Sequence, residues 1–400
     1  MRRSARLLCA SLLVAIAPAL AQPDKAAGEL AERILIVDTH IDAPGMLQES
    51  WRDLTIHTDR EFDWPKAKAG GLDIAFMSIY TSPGEDAAGT AYSIANQQID
   101  AVIALASRAP DKFAVLTSPR DIERLRTGGQ VLLPMGMENG APLAGKLENL
   151  QFFFDRGVRY ITLAHSAANA IADSSYGVER KWNGLSPFGR ELVTRMNRLG
   201  MMVDVSHLSD AAATEAIRLS RVPVIASHSA FRHFTPDFER NISDELAIAI
   251  AKKGGVVQIP FGTAFVNPQA AANIQAKFRG REALRQRNEA ARAAGQPEED
   301  RAAWEAAWEQ AHPPLATDIE AVLVQIDYGV KLIGINHIGI GSDFDGVGGE
   351  LPDQLRTAAD FPKLIAGLKA RGYSDTDIGK IMGGNFLRSW KLIEAGADRR

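Results

Sequence analysis

Residues 201–228, MMVDVSHLSDAAATEAIRLSRVPVIASH, contain one complete repeat of strand and helix. The apolar runs at 201–207 and 222–228 each end in a histidine, and an alanine-rich helical stretch separates them. Neither run alternates cleanly between apolar and polar residues, which is typical of strands that are buried on both faces. The repeat therefore predicts two neighbouring parallel strands joined by a helix, with His207 and His228 at equivalent ends.

Similar apolar runs recur along the rest of the chain, each followed by a stretch with helical character. The eight predicted strands are 34–40, 72–80, 131–138, 158–165, 201–207, 222–228, 256–261 and 337–343. Eight strands that alternate with helices predict the α/β class and a (β/α)8 TIM-type barrel. An open doubly wound sheet is the alternative architecture.

The chain is longer than such a barrel requires. It has 400 residues, whereas a barrel of this type needs about 250. Much of the excess lies between strands seven and eight, in a segment rich in Ala, Glu, Arg and Gln. We predict a helical insertion there, at about 266–314, with Trp304 and Trp308 on one face. It is expected to be a lid, a subunit contact or a solvated helical hairpin.

The N-terminus has the pattern of an export signal. Three arginines precede an apolar run at 7–20, and an Ala-Leu-Ala cleavage pattern follows before Gln22. The run is too short to span a bilayer comfortably, so a signal peptide at 1–21 is favoured over a membrane anchor. We therefore expect a single domain at 22–400, in the periplasm or secreted, with no stable membrane span after cleavage.

Composition excludes several classes of function. The chain has 45 Lys and Arg against 49 Asp and Glu, a net charge of −4, so it lacks the basic excess of a nucleic-acid binder. The single cysteine, Cys9, lies in the predicted signal peptide. Cysteine-pair metal sites, internal disulfides and thiol catalysis are thereby excluded. Any metal site must use histidines and carboxylates.

Histidines and carboxylates stand at the ends of the predicted strands. His40 and Asp42 are two residues apart, so they share a face of strand one, and Asp38 on that face is expected to hydrogen-bond. Because the carboxyl ends of barrel strands converge, four of the 8 His are expected to meet these carboxylates. Imidazole and carboxylate suit Zn²⁺ and related ions. The predicted metal ligands are His40, Asp42, Glu138, His207 and His228, with Glu138 bridging two ions.

Seven motifs occur in a defined order between residues 34 and 392. They are Asp38-Thr-His-Ile-Asp42, Gly136-Met-Glu-Asn-Gly140, GVRYITLAHS at 157–166, Asp204-Val-Ser-His207, Ser227-His-Ser229, Arg240-Asn241 and Gly341-Ser-Asp-Phe-Asp-Gly346. In this order the set resembles the membrane dipeptidase (renal dipeptidase) family, peptidase family M19, among the amidohydrolase-like metal-dependent barrels.

The resemblance implies a zinc-dependent dipeptidase with two Zn²⁺ ions per chain and a hydroxide that bridges them. One ion would take His40 and Asp42, and the other His207 and His228. The resemblance further implies that His165 contacts the substrate and acts in catalysis, that Arg240 holds the substrate carboxylate, and that Asp343 is the catalytic acid and base. It also suggests substrates with a D-residue at the C-terminal position, and a homodimer.

Two other functions are compatible with the residues. One is another metal-dependent amidohydrolase that acts on a small amide, an N-acyl amino acid or a lactone. The other is a binding relative that has lost activity. Asp343 argues against the second, because a binding protein has no need of a group that transfers protons.

Overall fold

The computed structural model describes residues 25–177 and 180–398. The predicted signal peptide lies outside the described residues. Within them, ten strands form one sheet in which all pairs are parallel: β1 (Ile36–Ile41), β2 (Leu72–Tyr80), β3 (Phe113–Val115), β4 (Val131–Leu133), β5 (Met135–Glu138), β6 (Val158–Thr162), β7 (Met202–Asp204), β8 (Ile225–Ala226), β9 (Val256–Ile259) and β10 (Ile338–Ile340).

Eight of these strands form a closed barrel in the order β1, β2, β5, β6, β7, β8, β9, β10. The seam between β1 and the segment after β10 is joined by two backbone hydrogen bonds. Asp343 N donates to His40 O (3.1 Å), and Asp42 N donates to Phe344 O (2.8 Å). The predicted TIM-type barrel is therefore confirmed, and the open doubly wound sheet is wrong.

The third predicted strand, 131–138, is divided at Pro134. Its first part, β4, pairs with the start of β2 at Ile74, and its second part, β5, pairs with β2 from Met77 onward. The division follows from proline chemistry, since Pro134 has no N–H to donate to a neighbouring strand. The short strand β3, which pairs with β4 outside the barrel, was not predicted.

Helices occupy the connections. They are α1 (Lys25–Arg33), α2 (Ala43–Glu49), α3 (Trp64–Gly70), α4 (Pro83–Ala87), α5 (Ala91–Arg108), α6 (Ile122–Leu125), α7 (Leu147–Asp155), α8 (Pro187–Leu199), α9 (Asp210–Leu219), α10 (Asp244–Lys252), α11 (Thr263–Val266), α12 (Pro268–Ala293), α13 (Arg301–Ala311), α14 (Ile319–Ile333), α15 (Phe361–Ala370), α16 (Asp375–Gly379) and α17 (Asn385–Ala395). The side chains of Ser209 and Ser243 cap α9 and α10 by accepting backbone N–H bonds. No described helix combines the length and apolarity that crossing a bilayer requires.

Helices α12 and α13, here called the insertion, lie between β9 and β10. Asn267 caps α12 by accepting from two backbone N–H groups, and Asp300 caps α13. Trp304 and Trp308 stack with their ring centroids 5.6 Å apart, as their spacing predicted. The chain then returns through α14 to the last barrel strand.

The amino-terminal end of the barrel is closed by α17. Inside the barrel, the buried rings of Phe76 and Tyr160 lie 5.5 Å apart. Phe386 and Trp390 of α17 pack 5.2 and 5.3 Å from Phe76. The side chain of Asn385 donates to the backbone at the start of β10 (2.8 Å). Apolar packing thus fills one end of the barrel, and the polar side chains predicted for the site lie at the other end.

Candidate metal centre

The barrel brings the predicted site side chains together at the carboxyl ends of its strands. Most of them are buried, and Asp42 and His165 are half-buried. They are His40, Asp42, Glu138, His165, His207, His228, Arg240 and Asp343. The convergence expected from strand ends therefore occurs, although their roles in metal binding and catalysis remain predictions.

Glu138 lies at the centre, and its two carboxylate oxygens face different partners. Oε1 lies 3.1 Å from His207 Nε2 and 3.3 Å from His228 Nε2. Oε2 lies 3.3 Å from His40 Nε2, which is itself 3.4 Å from Asp42 Oδ2. One carboxylate therefore separates two small groups of donor atoms.

A hydrogen bond at Nδ1 leaves Nε2 of His40 with a lone pair that faces the first group of donor atoms, which contains Asp42 Oδ2 and Glu138 Oε2. The Tyr160 hydroxyl donates a hydrogen bond to Thr39 O (3.1 Å). Its oxygen can therefore accept a hydrogen bond from His40 Nδ1, which lies 2.8 Å away. With the proton assigned to Nδ1, Nε2 faces Asp42 as an acceptor. Among the described residues, His40 Nε2 and Asp42 Oδ2 are buried without a hydrogen-bond partner.

His228 is oriented in the same way by a different network. The Ser227 hydroxyl donates to Asp204 Oδ2 (2.5 Å) and faces His228 Nδ1 (2.8 Å). Asp204 also accepts from the Thr162 hydroxyl and from backbone N–H groups. Nδ1 therefore carries the proton, and Nε2 is left as an acceptor. Tyr160, Asp204 and Ser227 were not predicted as functional, although all three lie in the motifs.

The second group of donor atoms can also bind a positive charge. The Nε2 atoms of His207 and His228 face each other at 2.8 Å. Burial, together with the nearby Arg240 charge, holds the pKa of both imidazoles well below the ordinary value, so both are neutral. A hydrogen bond between the two rings, or a cation bound by both, satisfies these buried nitrogens. Imidazole and carboxylate donors suit a divalent transition ion.

The charge of Glu138 is maintained despite its burial. Burial alone would raise the pKa of Glu138, but the neighbouring imidazoles, His40 foremost, hold it well below the ordinary value. At His40, burial lowers the pKa, but Tyr160, Glu138 and Asp42 outweigh it and raise the pKa well above normal, so a positive charge at Nε2, from a proton or a metal ion, is favoured. The centre therefore attracts positive charge.

Asp343 and His165 flank this centre. Asp343 Oδ1 lies 4.0 Å from His40 Nε2, and burial, with the charge of Asp42, raises the pKa of Asp343 well above the ordinary value. His165 Nε2 lies 3.4 Å from Glu138 Oε1, and burial lowers the pKa of His165. Both side chains line the cavity above the centre, where they can contact a substrate.

Arg240 is buried and is not among the residues that line the cavity over the centre. Its guanidinium donates to Ser229 Oγ and to His228 O, both at 2.8 Å, and Nη2 lies 3.0 Å from His207 Nε2. It also packs over the ring of Phe265, 4.9 Å from the centroid. Among the described residues, its Nε has no hydrogen-bond partner. The predicted contact with a substrate carboxylate stays a prediction.

Backbone strain is concentrated at the site. Asn139, His207, Asp343 and Asp345 have φ between 63° and 73°, a region that residues other than glycine rarely adopt. Each follows the end of a barrel strand. Such strain persists where the surrounding structure fixes the backbone, and it is common at functional sites.

A cavity of about 420 Å³ lies over the metal centre. Its polar side includes Glu138, His165 and Asp343, and its apolar side includes Phe265 of α11 and Phe278 of α12. The insertion therefore supplies part of the cavity wall. The volume lies within the range of pockets for small molecules.

The family model for membrane dipeptidases, peptidase family M19, matches residues 24–400. The chain belongs to this family. An uncharacterized dipeptidase of Schizosaccharomyces pombe is 30% identical over 389 residues, covering 93% of this chain and 84% of that protein. Dipeptidase aclJ of Aspergillus oryzae is 30% identical over 337 residues, covering 82% and 69% of the two chains.

Solved structures agree with the M19 assignment. The probable dipeptidase PvdM from Pseudomonas aeruginosa superimposes with a TM-score of 0.79 at 28% identity, covering 93% of this chain and 98% of that one. The M19 chain described here is thus a metal-dependent peptidase of the dipeptidase type, which acts on small peptides. The residues at its centre fit metal ions, as their buried, unpaired donor atoms show.

Proposed function

We propose that this M19 dipeptidase holds two Zn²⁺ ions per chain, one by His40 and Asp42 and the other by His207 and His228, with Glu138 bridging them. The observation that carries the proposal is the position of the Glu138 carboxylate. Its two oxygens face separate groups of donor atoms. The network behind His40 and His228 supports it, because each Nδ1 faces a hydroxyl oxygen and each Nε2 faces the centre.

The bound zinc ions would polarise the peptide carbonyl and lower the pKa of water, so that a nucleophile is available at neutral pH. Asp343 then accepts the proton of the attacking water and returns it to the leaving amine. His165, neutral because its pKa is lowered, donates a hydrogen bond to the carbonyl oxygen as negative charge develops there.

Arg240 binds the C-terminal carboxylate of the substrate, for which a planar guanidinium is well suited. This contact limits substrates to dipeptides, because a longer peptide has an amide at that position. The cavity of about 420 Å³ leaves room for either configuration of the C-terminal residue, so we include dipeptides with a C-terminal D-residue. We further propose that the enzyme is exported to the periplasm or secreted after removal of 1–21, and that it acts as a homodimer.

Metal analysis and the Asp343→Asn variant together test the proposal. The parent is expected to contain about two zinc per chain and to hydrolyse a library of L,L and L,D dipeptides, with activity lost in chelator. Asp343→Asn is expected to abolish turnover and retain both ions, since asparagine tolerates the φ of 65° at this position.

Asp237→Asn is the matched control, because Asp237 is exposed and has φ of 66°. It is expected to leave turnover unchanged. One tightly held ion in the parent would contradict bridging by Glu138, and loss of zinc from Asp343→Asn would identify Asp343 as a ligand instead of a proton carrier.

A further inference from the structure

A second cavity, of about 1000 Å³, opens beside the cavity over the metal centre. We call it the vestibule. The two cavities share the lining residues Tyr80, Tyr176 and Phe278, and the rings of Tyr176 and Phe278 stack at 4.1 Å. The vestibule therefore adjoins the catalytic cavity at an aromatic junction formed by these three side chains. A dipeptide backbone at the metal centre does not fill it.

One wall of the vestibule is a face of helix α12. Residues spaced three and four apart share a helix face, and those that line the vestibule in this way are Phe278, Arg281, Arg285, Asn288 and Arg292. Arg180 and Lys181, from the segment that follows β6, line the cavity as well. The insertion predicted from the sequence thus forms a basic wall beside the catalytic cavity.

The vestibule is basic within an acidic protein. Its basic lining residues are Arg180, Lys181, Arg281, Arg285, Arg292 and Arg301, and its acidic ones are Glu282, Glu289 and Glu298. Two further glutamates, Glu239 and Glu305, pair with its arginines without lining the cavity. The chain as a whole carries a net charge of −4. Six basic residues against these five glutamates leave the vestibule with a local excess of one positive charge.

Each arginine of the vestibule pairs with a glutamate, but the glutamates are not shared equally. Glu305 serves two guanidiniums, with Oε1 3.0 Å from Arg281 and 2.8 Å from Arg301. Arg285 instead forms two hydrogen bonds with Glu282 and a further one with Glu289. Because Arg281 shares its partner, a carboxylate on a ligand can pair with Arg281 while Glu305 stays on Arg301.

Of the basic residues of α12 that line the vestibule, Arg281 is the closest to the junction along the helix. It follows Phe278 by one helical turn, and its guanidinium lies 5.5 Å from the centroid of that ring. A substrate side chain that extends past Tyr80, Tyr176 and Phe278 therefore meets Arg281 first and Arg285 next on the same helix face.

We propose that the vestibule is a subsite for an acidic side chain of the substrate, so that the enzyme prefers dipeptides containing glutamate over those containing glutamine. Arg281 and Arg285 bind the side-chain carboxylate, and the aromatic junction contacts its methylene groups. The inference rests on the proposed function, because it assigns a substrate class to the same catalytic site.

The preference is tested with zinc-loaded enzyme and two matched pairs of dipeptides, Glu–Ala with Gln–Ala and Ala–Glu with Ala–Gln. In at least one pair, kcat/KM is expected to be roughly fivefold higher for the glutamate member at low salt. The difference is expected to shrink at about 0.5 M salt, because screening weakens exposed charges. Arg281→Gln brings the ratio close to one.

Arg287→Gln is the matched control. Arg287 lies on the same helix, pairs with Glu299 at 2.5 Å and does not line the vestibule, so the ratio is expected to stay at its parent value. Arg285→Gln provides a second vestibule variant if Arg281→Gln unfolds at a lower temperature than the parent. Equal kcat/KM within both dipeptide pairs, or a ratio that survives both vestibule variants, overturns the inference alone. A parent that hydrolyses other dipeptides of the L,L and L,D library but none of these four also overturns the inference alone. Failure on the whole library overturns the proposed function and the inference with it.

Discussion

Side chains behind the metal centre decide which nitrogen of each histidine is available to a metal. Tyr160 lies inside the barrel, and its ring occupies the space beside Gly136, where an added Cβ would approach the ring to 1.9 Å. Its hydroxyl fixes the protonated nitrogen of His40. The Asp204 and Ser227 pair does the same for His228. Metal affinity at this centre is therefore a property of the barrel interior as well as of the ligands.

Replacing Tyr160 with phenylalanine is expected to weaken zinc binding at His40 and Asp42 by about 10- to 100-fold, because His40 Nδ1 loses its acceptor. Phenylalanine fills the same space, so the fold is retained. Competition with a chromophoric chelator measures the affinity. Tyr328→Phe removes a hydroxyl that donates to Asp244 instead, and its zinc affinity should match the parent. An unchanged affinity in Tyr160→Phe would show that His40 needs no such support.

A pair of half-buried carboxylates makes stability depend on pH. Glu61 N donates to Asp345 Oδ1 (2.9 Å), and Asp345 N donates back to Glu61 Oε2. Burial raises the pKa of Glu61 from 4.5 to about 7 and that of Asp345 to about 6. The folded state therefore holds protons that the unfolded chain releases. This contribution is complete below about pH 4.5 and is lost as the pH rises through about 7.

Glu61→Gln is expected to remove the part of this dependence that belongs to Glu61. Relative to the variant, the parent should lose up to about 3 kcal/mol of unfolding free energy between pH 4.5 and pH 8. Urea unfolding at both values measures the difference. Glu32→Gln is the control, because Glu32 is exposed. Its unfolding free energy should depend on pH in the same way as that of the parent. A parent and Glu61→Gln variant with parallel pH profiles would contradict the assignment.

A site residue was predictable from the sequence where its position along a strand determined the direction of its side chain. His40, Asp42, Glu138, His207 and His228 come at strand ends, and all parallel strand ends meet on one face. Tyr160 was not recognised, because a tyrosine within VRYIT reads as an ordinary core residue of β6. The burial of Arg240 was likewise invisible, since a loop arginine is usually solvated and only its packing places it beneath the cavity.

Among the secondary-structure elements, helix α17 closes the end of the barrel opposite the site. Trp390 is fully buried there against Phe76 and Phe386. Sequence periodicity predicts that such a helix has an apolar face, but not which surface that face covers. The eight barrel strands were predicted because each lies in a distinct apolar run of six or more residues, whereas β3 lies in an apolar run of only four, at 113–116.

Trp390→Ala is expected to destabilise the protein by about 3–5 kcal/mol, the cost of a large cavity among aromatic rings. Denaturant unfolding measures the loss. Leu392→Ala, on the same helix but 46% exposed, should cost far less. Activity per folded molecule is expected to stay at the parent value, because α17 lies at the far end of the barrel. Equal costs in the two variants would show that α17 does not contribute to the core.

For the molecule as a whole, we expect metal binding and folding to be coupled. The proposed ligands come from β1, β5 and the segments after β1, β7 and β8, so the donor set forms only in the closed barrel. Ligands that bind the folded state alone stabilise it, by about 4 kcal/mol at a concentration 1,000 times Kd.

Chelation is accordingly expected to lower Tm, and added zinc to restore it. Calorimetry of the parent and of Glu138→Gln, with and without chelator, measures the effect. Glu138→Gln weakens both sites at once, so its Tm should respond to chelator much less than that of the parent. A parent that contains zinc by analysis but keeps its Tm in chelator would contradict this coupling.

The seam of the barrel also imposes an order on biosynthesis. His40 leaves the ribosome about 300 residues before Asp343, yet its backbone is held by Asp343, and Asp38 accepts from Ser342 N (2.9 Å). The earliest ligands in the chain are thus the ones fixed in place by some of its last residues. A growing polypeptide cannot assemble the His40 and Asp42 pair until β10 has been made. We therefore expect metal to be acquired after the chain is complete, and a polypeptide that stops before β10 to retain the proposed ligands but not their arrangement.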